Sequence, residues 1–281
     1  MYSSISKWLL WSAASFVLFF STHTLQAQHS EVGIWLGLGN YVGDINPTGN
    51  LKKIMPAGGL VYRYTVNDYI ALRAGAGFTV LKHDDALATN APFQLVRNLD
   101  FSTNLIEISG QIDLHFKKFI LGSRKNYWTP YLTAGLALFH FNPKTTFNDE
   151  TYNLVDIGTE GQLSDLSGRK PYKKLQVAIP IGGGFKYSLP NGYAVYAEVA
   201  HRYTFTDYID DVSTTYVDNV YLGDDPIAIQ LSDRSGEVTS PNIGIEGKQR
   251  GSKVENDSYL VLNVGILYTI FNRKCPQAKG R

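Results

Sequence analysis

Several residue groupings in this chain are of types that do chemistry. Ser109, Asp113 and His115 alternate within the stretch from Leu105 to Phe116 and supply the hydroxyl, carboxylate and imidazole of a hydrolytic relay. Asp207, Asp210, Asp211 and Asp218 bunch further along and offer oxygen ligands to Ca²⁺, though not at the spacing of an EF-hand. Gly182-Gly183-Gly184 is a glycine run without the lysine of a phosphate-binding loop; following Pro180 inside a strand-like pattern, it reads as relief of crowding or a bend. Cys275, the sole cysteine, lies in a basic tail beside Arg273 and Lys274. In an oxidising compartment such a thiol is available for an intermolecular disulfide with a periplasmic partner, which would make the tail a docking element; the alternative is a free thiol on a disordered end. No cysteine pair or histidine cluster offers a zinc site.

The elements that carry these residues decide between the readings. Along 105–116 a period of two places Ile106, Ile108, Ile112, Leu114 and Phe116 on one face and Glu107, Ser109, Gln111, Asp113 and His115 on the other. Ser109, Asp113 and His115 therefore follow one another along a strand and do not converge on one point. A polar network is expected of them, with no catalytic residue and no cofactor. The acidic stretch is expected to cap turns, bind backbone amides or pair with Arg202, with a metal as the weaker alternative.

The same alternation recurs in eight segments, 31–41, 57–65, 69–81, 103–116, 128–141, 175–188, 193–206 and 258–271, each long enough to cross a bilayer as a tilted strand of about 9 to 11 residues. Val32, Ile34, Leu36 and Leu38 oppose Gly33, Gly37 and Gly39 in the first; Leu260, Leu262, Val264 and Ile266 oppose Asn263 and Gly265 in the last. A soluble sandwich would show the same period. The connections distinguish them: 66–68, 117–127 and 189–192 are short, whereas 142–174 and the stretch running on to 257 are long. Short turns at one rim and long loops at the other are the pattern of outer-membrane barrels, turns periplasmic and loops extracellular.

The polar face agrees. It carries Arg63, Arg73, Glu107, Asp113, His115, Lys186, Glu198 and Arg202, a costly set for a soluble core but suited to the narrow interior of eight strands, where they form a lumen network. Tyr41, Tyr62, Tyr69, Phe116, Trp128, Tyr187, Tyr193, Tyr203, Tyr259 and Tyr268 sit near strand ends and are expected to form interfacial girdles. The fold predicted is an all-β, eight-stranded antiparallel transmembrane barrel with a filled lumen.

Residues 1–27 read as a cleaved signal peptide: Lys7, an apolar run from Trp8 to Phe20 that falls short of the roughly 20 residues of a membrane-spanning helix, and a small residue at Ala27. Sec-type export, a barrel over 28–272 and a periplasmic tail over 273–281 follow. The 26 Lys and Arg against 25 Asp and Glu leave a net charge of +1, and without Lys7 the two signs balance, so no global field points to nucleic acid.

Three stretches carry a resemblance: Gly39-Asn40-Tyr41-Val42-Gly43-Asp44-Ile45, the segment from Arg202 to Asp218 that contains Thr206-Asp207-Tyr208-Ile209-Asp210-Asp211-Val212-Ser213, and Lys274-Cys275-Pro276. Together they resemble a Bacteroidota outer-membrane barrel family that includes PorG of the type IX secretion system; 219–257 has no counterpart in it. The resemblance implies a non-enzymatic accessory of protein export that anchors periplasmic ring proteins, in Gram-negative bacteria that use this system for secretion and often for gliding. The alternative is a stand-alone barrel that binds an external ligand or surface through its long loops. A membrane enzyme with rim residues is a third reading.

Overall fold

The computed structural model describes residues 29–88 and 91–270. The expected leader 1–27 and the tail bearing Arg273, Lys274 and Cys275 lie outside the described residues. All eight predicted segments are strands: β1 (His29–Val42), β2 (Met55–Thr65), β3 (Ile70–Asp84), β4 (Asp100–His115) and β5 (Trp128–His140) come first, and β8 (Leu175–Ser188), β9 (Tyr193–Thr204) and β10 (Ser258–Ile270) complete the set. Between them β6 (Pro143–Phe147) and β7 (Glu150–Asn153) form a hairpin that the sequence reading left inside a loop. The strands pair antiparallel in the order β3, β2, β1, β10, β9, β8, β5, β4, and β3 pairs back onto β4 from Ile70 opposite Leu114 to Asp84 opposite Asp100. The barrel is closed, so no barrel strand leaves an unpaired edge in hydrocarbon.

Parity fixes the register. Outward Ile34 lies opposite outward Ile266 and Leu60, while inward Arg63 lies opposite inward Arg73. A slip by one residue would turn both arginines into lipid, at about 2–4 kcal/mol each near the midplane. Pro180 interrupts the ladder between β5 and β8, where pairing stops at Ala134 opposite Ile181 and resumes at Ala137 opposite Ala178, because proline has no N–H to donate. Gly184, close by, is required for another reason: a Cβ there would stand 2.8 Å from the Tyr131 ring inside the barrel.

The outer surface is apolar. Leu36 is 75% exposed, Leu136 63% and Ile106 58%, values that suit lipid contact and no aqueous surface. On β3 the outward row runs apolar from Ile70 to Val80, about 25 Å of height at the usual rise and tilt. Tyr62, Tyr69, Phe116, Phe185, Tyr187, Tyr193 and Tyr268 are exposed around the turn rim. There Trp128 stacks on Phe185 at 5.4 Å and carries the Lys117 ammonium 3.7 Å from its ring centre. This is an interfacial girdle. Tyr41 and Tyr259, expected in it, point inward and are fully buried.

Candidate functional site

Eight strands enclose a space that side chains alone can fill, and here they fill it in layers. Nearest the turns, Phe119 from the β4–β5 connection is 4% exposed and packs with Val61, Ala194, Tyr196 and Leu267. It closes the lumen from that end. Above it Lys186 Nζ donates to Glu31 Oε2 at 2.5 Å and stands 4.5 Å from the centre of the Phe119 ring. Next, Arg63 Nε lies 2.7 Å from Asp113 Oδ2 with its guanidinium between the rings of Tyr131 and Tyr196, at 4.9 and 4.7 Å. Arg73 donates to Glu198 Oε2 at 2.6 Å, to Gln111 Oε1 at 2.7 Å and to Thr133 Oγ1 at 2.6 Å. The Tyr131 hydroxyl donates to the same Glu198 oxygen at 2.8 Å. Higher still, Tyr259 donates to Glu107 Oε2 at 2.7 Å, with Arg202 Nε 3.4 Å from that oxygen.

The predicted lumen residues are thus all inside, in three ion-paired tiers. Buried charges of both signs meet partners within the tier, the condition under which such burial is tolerated. His115 packs its ring edge-on to Phe119 and Tyr131 at 6.3 and 6.0 Å. It forms no relay: Asp113 is held by Arg63 and Arg73, and Ser109 accepts from Gln111 Nε2 at 3.1 Å. Glu31 and Tyr131 complete the network and were missed by the sequence reading. Glu31 shares the inward parity of Gly33, so the strand period could have found it.

The loop end is closed by the chain as well. Tyr41, Phe101, Phe139, Phe141, Ile209 and Val212 form an apolar layer over the upper tier. Tyr41 Oη lies 2.5 Å from Asp210 Oδ2 and 2.6 Å from Asp257 Oδ1. A phenol has one proton, so both contacts are hydrogen bonds only when one carboxyl is protonated and donates in return. Burial and the neighbouring Asp44 carboxylate push Asp210 up to about 8, and burial with Asp210 and Asp207 alongside raises Asp257 well above the carboxylate range. Asp207 is pushed up to about 9 by burial and by Asp44, Asp210 and Glu160.

All four long connections are tied into this closure. Arg97 donates to both oxygens of Asp85 at 2.7 Å and to the Arg250 carbonyl at 2.6 Å. Arg250 donates to Glu160 Oε1 at 3.0 Å and to the Asp211 carbonyl at 2.7 Å. Glu160 accepts from the amides of Ser213 and Thr214 at 3.0 and 3.1 Å, and Asp211 accepts from Thr159 and from Tyr172, the latter at 2.6 Å. The predicted acidic residues therefore have separate tasks. Asp218 accepts from the Val220 amide at 3.0 Å and caps a turn, while Asp210 and Asp211 are buried in the closure. Among the described residues no group of three or more His, Cys, Asp or Glu is placed to hold a metal. The expected pairing of this acidic stretch with Arg202 does not form, because Arg202 faces down the lumen to Glu107. Glu160, Arg250 and Asp257 were not found from sequence, since long loops carry no period that predicts their contacts.

A closed strand cylinder with an apolar outer face, an aromatic rim and a lumen stopped at both ends defines an outer-membrane β-barrel of the eight-stranded class. Within that class the chain belongs to the family described as a domain of unknown function, DUF6089, which it matches over residues 12–222. No curated protein matches it. Similar solved structures include the N-terminal β-barrel domain of OprF from Pseudomonas aeruginosa, at 13% identity and TM-score 0.38 over 87% of this chain and 100% of that one. Neisserial surface protein A is 11% identical at TM-score 0.43, over 87% and 100% of the two chains. Ail of Yersinia pestis is 9% identical at TM-score 0.40, again over 87% and 100%.

Proposed function

We propose that this protein is a non-conducting, non-enzymatic outer-membrane anchor that serves type IX protein secretion, holding periplasmic ring proteins to the membrane. The observation that carries the reading is the double closure of the lumen, by Phe119 at one end and by the loop layer around Tyr41 and Ile209 at the other. A barrel that fills its own interior acts through its surfaces. The stretch on which the family resemblance is most specific, Thr206 to Ser213, supports this further. Ile209, Asp210, Asp211 and Val212 are buried within the closure, so the motif builds the plug and presents no binding loop. The reading includes Sec-type export in a Gram-negative bacterium of the Bacteroidota and docking through the basic tail of Arg273, Lys274 and Cys275.

The test is affinity recovery of the tagged protein from gently solubilised native outer membranes, resolved on reducing and non-reducing gels with mass spectrometry of each partner. Periplasmic ring-forming proteins, in a band lost on Cys275→Ser, are the expected result. A clean monomer under conditions that preserve other membrane complexes overturns the anchor, and moves the activity to the external loops. Recovery unaffected by Cys275→Ser removes the disulfide while leaving the anchor.

A further inference from the structure

A recess of about 230 Å³ opens on the outward side of the barrel where the β6–β7 hairpin joins β4. Its geometry follows from register. Lys82 on β3 is directly opposite Ser102 on β4, and Ser102 is directly opposite Lys144 on β6. Residues directly opposite share a face, and strands lie about 4.8 Å apart, so two lysines stand roughly 10 Å apart with a serine between them. Asn104 and Thr146 border the same recess.

Both lysine stems are half-buried, and among the described residues neither ammonium has an ion pair or hydrogen bond. The acid that lines the recess, Asp100, and the neighbouring Asp84 are already engaged. Asp100 is held by Arg234 and by the Thr145 hydroxyl, and Asp84 accepts from the Ala86 amide at 2.8 Å. The recess is therefore a hydroxyl-bearing cradle with two uncompensated ammonium groups, its one lining carboxylate, Asp100, being taken up by Arg234.

Its height names the counter-ion. On β3 the outward row is apolar through Phe78 and Val80, and Lys82 is the next outward residue. On β4 the row is apolar through Ile108 and Ile106, and Asn104 and Ser102 follow. The recess thus sits at the loop-side edge of the apolar belt, where headgroups of the outer leaflet lie, with a lipid-facing wall directly beneath it. We infer that Lys82 and Lys144 clamp the phosphate monoester of an outer-leaflet glycolipid, with the Ser102 and Thr146 hydroxyls and the Asn104 amide as further donors and the acyl chains along Phe78, Val80 and Ile106. An ammonium reaching in from each side matches one bridging phosphate.

The test uses the full-length mature protein in detergent micelles, with native mass spectrometry of bound lipid. Diphosphorylated lipid A should be retained at least about tenfold better than its enzymatically dephosphorylated form, and Lys82→Gln with Lys144→Gln should remove that preference. Lys170→Gln with Lys173→Gln, which alters exposed lysines outside the recess, should leave it in place. Equal retention of the two lipid forms by the unaltered protein overturns the proposal without recourse to any variant. So does a preference that survives the double substitution in protein whose unheated gel mobility shows it folded. Displacement of the lipid by millimolar inorganic phosphate overturns the lipid assignment in favour of a free-anion site.

Discussion

The ion pair of Arg63 and Asp113 offers the sharpest check on how the lumen is held. Both side chains are fully buried, 2.7 Å apart, in the middle tier. At an effective dielectric of about 20, two unit charges roughly 3 Å apart attract by about 5 kcal/mol, which offsets most of the desolvation cost of placing them there. Asp113→Leu leaves the Arg63 guanidinium with the Tyr131 hydroxyl at 3.2 Å and two ring faces. Arg63→Met leaves Asp113 only the more distant Arg73, whose Nη2 is 3.4 Å away. Each single substitution is therefore expected to cost about 3–5 kcal/mol of unfolding free energy. The double substitution removes both charges, and Arg73 keeps Glu198, Gln111 and Thr133. It is expected to cost no more than either single change, a coupling of about 3 kcal/mol. The assay is urea unfolding in phosphocholine vesicles followed by tryptophan fluorescence, with unheated electrophoretic mobility as the measure of the closed barrel. Single costs below about 1 kcal/mol, or effects that add within about 0.5 kcal/mol, would refute the claim that paired charges hold the tiers.

Other consequences follow from the same geometry. The doubly closed lumen should give no single-channel steps in a planar bilayer, and porin-sized conductance would disprove the closure. Tyr41→Phe removes the hydroxyl shared by Asp210 and Asp257, and should loosen the closure by about 1–3 kcal/mol, seen as faster hydrogen exchange at the Ile209 and Val212 amides while β1 stays protected. The mouth should also respond to pH. Asp207 and Asp210 titrate at about 9 and about 8 in the folded protein, against about 3.9 for an unfolded aspartate. Between those values the folded mouth holds more protons than the unfolded chain, so its stability falls as pH rises. Proteolysis within 205–257 should accelerate from pH 6 to pH 9, and Asp207→Asn should flatten the profile; protection that grows with pH would contradict the assignment.

The strand set was legible because lipid imposes a rule on every outward residue. Ile106, Ile108, Ile112 and Leu114 are apolar for one reason and alternate with Glu107, Gln111, Asp113 and His115 for another, so both the strand and its two faces can be read from period alone. The lumen residues followed from parity. Their partners did not, because Asp113 meets Arg63 across the barrel interior, and strand period says which way a side chain points but not what it finds there. Tyr41 and Tyr259 show the limit of reasoning by residue type: position near a strand end suggested the interface, whereas parity turned both inward onto carboxylates.

The amino-acid sequence by itself determined eight membrane strands, which face of each meets lipid, and which charged residues lie inside, since hydrophobic exposure and a period of two are local properties of the chain. Only the tertiary structure decided that the barrel is stopped at both ends. Phe119 enters from a turn, and Asp44, Arg97, Glu160, Asp210, Arg250 and Asp257 come from four separate connections to close the mouth. Those contacts join residues far apart in sequence and without periodicity, so they exist only once the closed sheet has brought the four loops over one opening.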